Sequence, residues 1–170
     1  MGPANPGRDN FACRGELTPY FAVMVCATPL TNRSKPMKTK PCLTADDARR
    51  IAAAAETEAV AHGWAVVIAV VDDGGHLWCL QRLDGAAPIS AEIAPAKART
   101  AALGRRESKA YEDRINQGRV AFLSAPLQGM LEGGVPIVVE GQCVGAVGVS
   151  GVQASEDVQI ARAGIAALQL

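Results

Sequence analysis

Two histidines occur in the chain, and His76 is the one placed for chemistry. It closes the string Val71-Asp72-Asp73-Gly74-Gly75-His76, where an apolar run breaks into an acidic turn and resumes at Leu77. A neutral imidazole there can ligate a metal such as iron. Gly74-Gly75 can equally be no more than a turn that needs positive φ. His62 ends an alanine-rich stretch, where a cation offsets a helix dipole. Lys97 and Thr100 stand three apart and share a face if the segment is helical. Their functional reading is an ammonium for a carboxylate, with a hydroxyl near a bound metal or ligand. Their plain reading is a solvated lysine beside a hydroxyl bonded one turn back. Arg82 and Asp84 flank Leu83, so on a strand they point to one side. Arg82 can grip a carboxylate in bidentate fashion, pair with Asp84, or help cap the next helix. Glu92 offers a second acid for the same cleft.

Other chemistries find less support. No Ser-His-Asp arrangement and no paired metal ligands stand out, so a nucleophile with an obvious base is missing. Five cysteines, Cys13, Cys26, Cys42, Cys79 and Cys143, make an odd set without a C-x-x-C spacing. That argues against a zinc site and against a dense disulfide framework. Cys79 and Cys143 fall in apolar segments and read as small buried hydrophobes. Gly145, Gly148 and Gly151 lie within a strand pattern, not between a strand and a helix, so they read as close-packing residues and not as a dinucleotide loop. The balance of 17 basic and 17 acidic residues argues against a nucleic-acid partner.

Elements that position these residues follow from periodicity. Thr44 can cap a first helix, with Asp46 and Asp47 at its positive end. Ala48, Ile51, Ala52, Ala55 and Ala59 recur at helical spacing, and Gly63 stops the helix. Ala65 to Val71 reads as a buried strand and His76 to Leu83 as its antiparallel return. A second helix covers about Ala94 to Leu103, closed by Gly104. Ser90 can cap it from further upstream, but Pro95 then falls past the first turn, so the helix either begins at Pro95 or bends there. Arg105 to Arg119 reads as a short solvated helix with Tyr111 and Ile115 facing inward. An extra strand near Met130 precedes a hairpin of Val135–Val139 and Cys143–Val149. A last helix begins with Ser155 as cap and turns Val158, Ala161, Ile165 and Leu168 to the core. The expected class is α+β, an antiparallel sheet flanked by helices, in one domain.

The hairpin with Arg82-Leu83-Asp84-Gly85-Ala86, the helix segment Lys97-Ala98-Arg99-Thr100-Ala101-Ala102, and the strands Gly133–Val139 and Val144–Gly151 occur in this order. Together they resemble the GlcG/HbpS-like family of small haem-binding proteins, which includes the C-terminal domain of PduO-type proteins. The resemblance covers roughly residues 37–170. It implies a profilin-like sheet of about five strands. It also implies a haem-binding function as carrier, sensor or scavenger, with some relatives assisting oxidative haem breakdown. Cofactor-binding residues under this resemblance are Lys97 and Thr100, with His76 as the competing iron ligand. It implies a homo-oligomer too, from dimer to octamer. The alternative is a small enzyme acting on a carboxylated metabolite, using Arg82, Asp84, Glu92 and Lys97. Residues 1–36 carry five prolines and no periodicity and read as a disordered or mis-called N-terminal extension. Their apolar run, Tyr20 to Ala27, is too short to span a bilayer. The expected location is cytoplasmic.

Overall fold

A computed structural model of the chain describes residues 37–169. The reading of residues 1–36 lies outside the described residues. The elements are α1 (Ala45–Ala61), β1 (Val67–Asp72), β2 (Leu77–Arg82), α2 (Ser90–Gly104), α3 (Lys109–Asn116), β3 (Gly134–Val139), β4 (Gln142–Ser150) and α4 (Ala154–Ala166). A 3₁₀ turn, Val120–Ser124, follows α3. The strands form one antiparallel sheet in the order β2-β1-β4-β3. The α+β class is as the sequence implies, but among the described residues the sheet has four strands, not five. The segment around Met130 is no strand. It runs across α2 instead, and Gly129 (φ +74) rests so close that a Cβ would lie 2.6 Å from the Ala96 carbonyl carbon.

Local chemistry accounts for most boundaries. Thr44 and Asp47 form a reciprocal capping box at α1, and the Thr44 bonds hold the Asp47 carboxyl below its ordinary pKa. α1 ends at His62 and Gly63, the latter at φ +68. α4 departs from expectation: Gln153, not Ser155, is the cap, because Glu156 reaches back to the Gln153 amide at 3.0 Å. Ser155 lies inside the helix. α2 starts at Ser90 and runs through Pro95. Its entry is wound as three-residue turns from Ala87, Pro88 and Ile89, so the proline sits only just beyond the first turns.

The sheet is covered on both faces. On one side α1 and α4 bring Ile51, Ala55, Ala59, Ile160 and Ala161 against Ile68, Val70, Val147 and Val149. On the other, Ala94, Ala98 and Ala101 of α2 pack on Val67, Ala69, Val71 and Ala146. Two irregularities adjust the pleat. The β1–β2 ladder slips between Val70, opposite Cys79, and Val71, opposite Leu77, leaving Trp78 as a bulge. A second slip leaves Val144 unpaired opposite β3. Because α2 lies over β4, β1 and β3, the α2-side residues of the edge strand β2 stay open: Leu77 is 53% exposed and Leu80 40%.

Gly148 is where α2 comes nearest. A Cβ there would fall on the Ala94 carbonyl oxygen and within 2.9 Å of the Ala98 side chain. Gly148→Val therefore forces the helix off the sheet. The expected loss is about 3 kcal/mol or more, an overpacking cost at the top of the usual range, measurable by urea unfolding, whereas Gly141→Ala, which meets nothing and carries only the strain of φ +74, should cost about 1 kcal/mol.

Candidate functional site

Residues on the outer stripe of α2 build the largest groove described. Pro95, Ala96 and Arg99 follow at helical spacing opposite the buried stripe of Ala94, Lys97, Ala98 and Ala101. The second wall is Val71 and Leu77 from the β1–β2 hairpin with Gly75 at its tip. The third is the irregular run Leu123, Ala125, Pro126, Leu127 and Gln128. The cavity measures about 520 Å³ and is lined mainly by apolar side chains. That size suits a small organic ligand or cofactor. Arg99 is its charged group. The arginine lies across the hairpin turn, its Nη1 3.4 Å from the Gly75 carbonyl oxygen. Gly75, at φ +77, has to be glycine twice over, since a Cβ would meet Arg99 Cγ at 2.8 Å.

The hairpin tip is held by Asp72. Its Oδ1 accepts from the Gly74 amide at 2.9 Å and the His76 amide at 2.8 Å, and the His76 Nδ1 lies 3.2 Å away. Partial burial raises the Asp72 pKa, but the bonds from His76 and Gly74 outweigh it and hold the carboxyl below its ordinary value. His76 Nδ1 is thereby directed at a carboxylate, and the ring is otherwise open, with 77% of the side chain exposed. Asp72 and His76 are paired across the hairpin, and alternation places both on the α1 side, opposite Val71 and Leu77. His76 thus adjoins the groove residues Gly75 and Leu77 in sequence, but its side chain stands on the other face of the sheet and is not one of the walls.

Lys97 and Thr100 do share a face, but it is the buried one. Lys97 is 4% exposed, and its Nζ donates to Asp157 Oδ2 at 2.8 Å and to the Val149 carbonyl at 3.0 Å. Burial raises the Asp157 pKa, and Lys97 works against that rise. Thr100 is fully buried and donates to the Gln128 carbonyl at 2.6 Å, not to the turn before it. Neither side chain faces the groove. Nor does the fold gather Arg82, Asp84, Glu92 and Lys97 in one cleft. Arg82 Nη2 donates to the Ala86 carbonyl at 2.7 Å, Asp84 and Glu92 are exposed, and Lys97 points through the domain to α4. Glu92 lies one turn before Pro95 and Ala96 on the outer stripe of α2, beyond the groove walls. Sequence reasoning passed over Arg99 and Gln128. Arg99 was within reach of it, because Pro95, Ala96 and Arg99 share the one stripe of α2 that is not alanine-rich at core spacing.

Cys143 is buried and Cys79 half-buried, as small hydrophobes. Among the described residues no cluster of His, Cys, Asp or Glu could hold a metal ion by itself. No described helix is long and apolar enough to cross a membrane.

Comparison with known proteins agrees with this architecture. Residues 43–166 match the family described as "Haem degrading protein HbpS-like". Protein GlcG of Escherichia coli K12 is 60% identical over 114 residues, which is 67% of this chain and 85% of that protein. The crystal structure of an HbpS double mutant from Streptomyces reticuli superposes with a TM-score of 0.71 at 33% identity, covering 84% of this chain and 97% of that one. A PduOC:heme complex superposes with a TM-score of 0.68 at 27% identity, covering 75% and 95%.

The Lys97–Asp157 pair yields a direct test. Lys97→Met strands a buried carboxylate and should cost about 3–5 kcal/mol at neutral pH. The double variant Lys97→Met/Asp157→Leu should recover most of it in urea unfolding, as expected if the penalty is the orphaned charge and not lost packing.

Proposed function

The chain belongs to the HbpS-like family, and from that premise we propose that it binds haem in the groove between α2 and the β1–β2 hairpin. The observation that carries the proposal is a groove of about 520 Å³ whose walls are mostly aliphatic residues and polar backbone, with a single guanidinium, Arg99, among them. A porphyrin is a flat apolar ring with carboxylates on one edge, and those walls and that cation match its two ends. Arg99 would hold a propionate in bidentate fashion. Val71, Leu77, Pro95, Leu123 and Leu127 would cover the ring and exclude water.

The walls contain no imidazole, thiol or thioether. The iron would therefore take a ligand from outside these walls, from His76 swung across the hairpin tip or from water. His76 suits that role chemically, since Asp72 at 3.2 Å favours the tautomer with hydrogen on Nδ1 and leaves the other ring nitrogen free. Thr100 and Lys97 would act from behind the groove wall. Bound haem supplies the redox chemistry of its iron, including attack on its own macrocycle, while the protein supplies binding and orientation. A ligand held by one cation and an open slot exchanges readily, which suits a carrier, sensor or scavenger.

Hemin titration tests this. The parent should develop a shifted Soret band with saturable stoichiometry. Arg99→Ala should weaken binding roughly tenfold, the worth of one charge-assisted contact. His76→Ala should change the ligand-field spectrum while the protein stays folded. A parent that leaves free hemin unaltered, yet is thermally stabilised by a small carboxylic acid, would replace haem by the small-acid reading.

We also propose a homo-oligomer. Trp78 and Leu80 lie exposed on the edge strand β2, apolar side chains that a second copy can cover while leaving Leu77 to the groove. Size-exclusion chromatography with light scattering should show a dimer or larger at micromolar concentration, and Leu80→Lys should shift it toward monomer. A monomeric parent contradicts the proposal.

A further inference from the structure

We infer that Thr100 is a positioning residue for the groove: its hydroxyl clasps the Gln128 carbonyl, holds the 123–128 run against α2, and so sets the width of the slot. The inference deepens the haem reading and rests on it for the ligand's identity, but not for the clasp.

Five of the groove's wall residues, Leu123, Ala125, Pro126, Leu127 and Gln128, come from the stretch between α3 and β3. Beyond the 3₁₀ turn this stretch has no helix or strand to keep it in place until Gly134. Side chains tether it instead. Ser108 Oγ donates to the Leu131 carbonyl at 2.5 Å, and the Glu112 carboxylate accepts from the Glu132 amide at 2.5 Å. Both of those lie at the far end, toward β3. At the groove end the tether is Thr100 Oγ1 to the Gln128 carbonyl at 2.6 Å. Directly beyond it, Gly129 at φ +74 lets the backbone settle on Ala96 and Lys97 with no room for a Cβ. Gln128 is thus both the anchored residue and a wall of the cavity, while Thr100 is fully buried behind Arg99. A hydroxyl so placed governs a ligand through the wall it holds, without touching it.

Valine matches threonine in shape but takes the donor from the part-buried Gln128 carbonyl, so the wall loses its anchor while the helix keeps its side-chain volume. Serine keeps the donor. Hydrogen exchange of the ligand-free protein reads the clasp directly. Thr100→Val should raise exchange at the Ala125 and Glu132 amides, the hydrogen-bonded amides on either side of the clasp, at least tenfold, and Thr100→Ser should leave it near the parent. Hemin is the probe for the second arm. Dissociation of hemin from Thr100→Val should be about tenfold faster, with the Soret position and electron paramagnetic resonance spectrum of the bound fraction unchanged. Ile51→Val, a core truncation on the opposite face of the sheet, should leave hemin dissociation at the parental rate even where it lowers the melting temperature.

Unchanged exchange at the Ala125 and Glu132 amides in Thr100→Val overturns the inference. So does a changed iron spectrum with unchanged exchange, which would make Thr100 an iron ligand. If the parent takes up no hemin, the haem reading falls by itself, and the exchange comparison still decides whether Thr100 holds the wall.

Discussion

The close approach of α2 to the sheet is the constraint on which the other features depend. Ala94, Ala98 and Ala101 present methyl groups to β1 and β4, and Gly148 presents nothing at all. Helix and sheet can therefore meet almost backbone to backbone. That contact brings Lys97 within reach of Asp157 on α4 and Thr100 within reach of Gln128. It also leaves the opposite stripe of α2 standing clear of the sheet, with Pro95, Ala96 and Arg99 free to form a groove wall. A bulkier helix would hold the same residues further out, and none of these contacts would close.

Much of the architecture is local and so was legible from residue order. Thr44 and Asp47 announce α1, the Asp72–Gly75 run announces the first hairpin, and the alternation of small and branched residues marks β4. What could not be read was decided by contacts distant in sequence. The run near Met130 has strand-like composition but is held to α2 and α3 by side chains from both. At α4 two caps competed, and glutamine, a weaker capping residue than serine in general, prevails because Glu156 completes a reciprocal pair with it.

The site was legible only in part, for a related reason. Spacing showed that Lys97 and Thr100 share a helix face. It did not show which face, because both neighbouring stripes contain alanines and neither is strongly apolar. An ammonium on a helix is solvated by default, and the partner that reverses this default, Asp157, lies 60 residues away. The same ambiguity hid Arg99, which a reader of the bare sequence counts among ordinary surface charges. The sequence puts His76 at the start of the second strand; the strand begins one residue later, at Leu77, and the side of the sheet that His76 takes depends on pairing with Asp72 and on the slip in the ladder beyond it.

That slip has an evolutionary consequence. In an uninterrupted ladder Trp78 would oppose Val71, and Leu77 would oppose Asp72 and turn to the α1 side. With Trp78 looped out, Leu77 opposes Val71 and joins the groove. Losing the tryptophan codon would merely restore a regular ladder, with every other β2 residue keeping its partner and its side. Losing the codon on either side would also close the ladder, but it would set the tryptophan in the place of Leu77 or Cys79. In-frame length variation within this strand should therefore gather at the bulge, and homologues one residue shorter there can preserve the same groove.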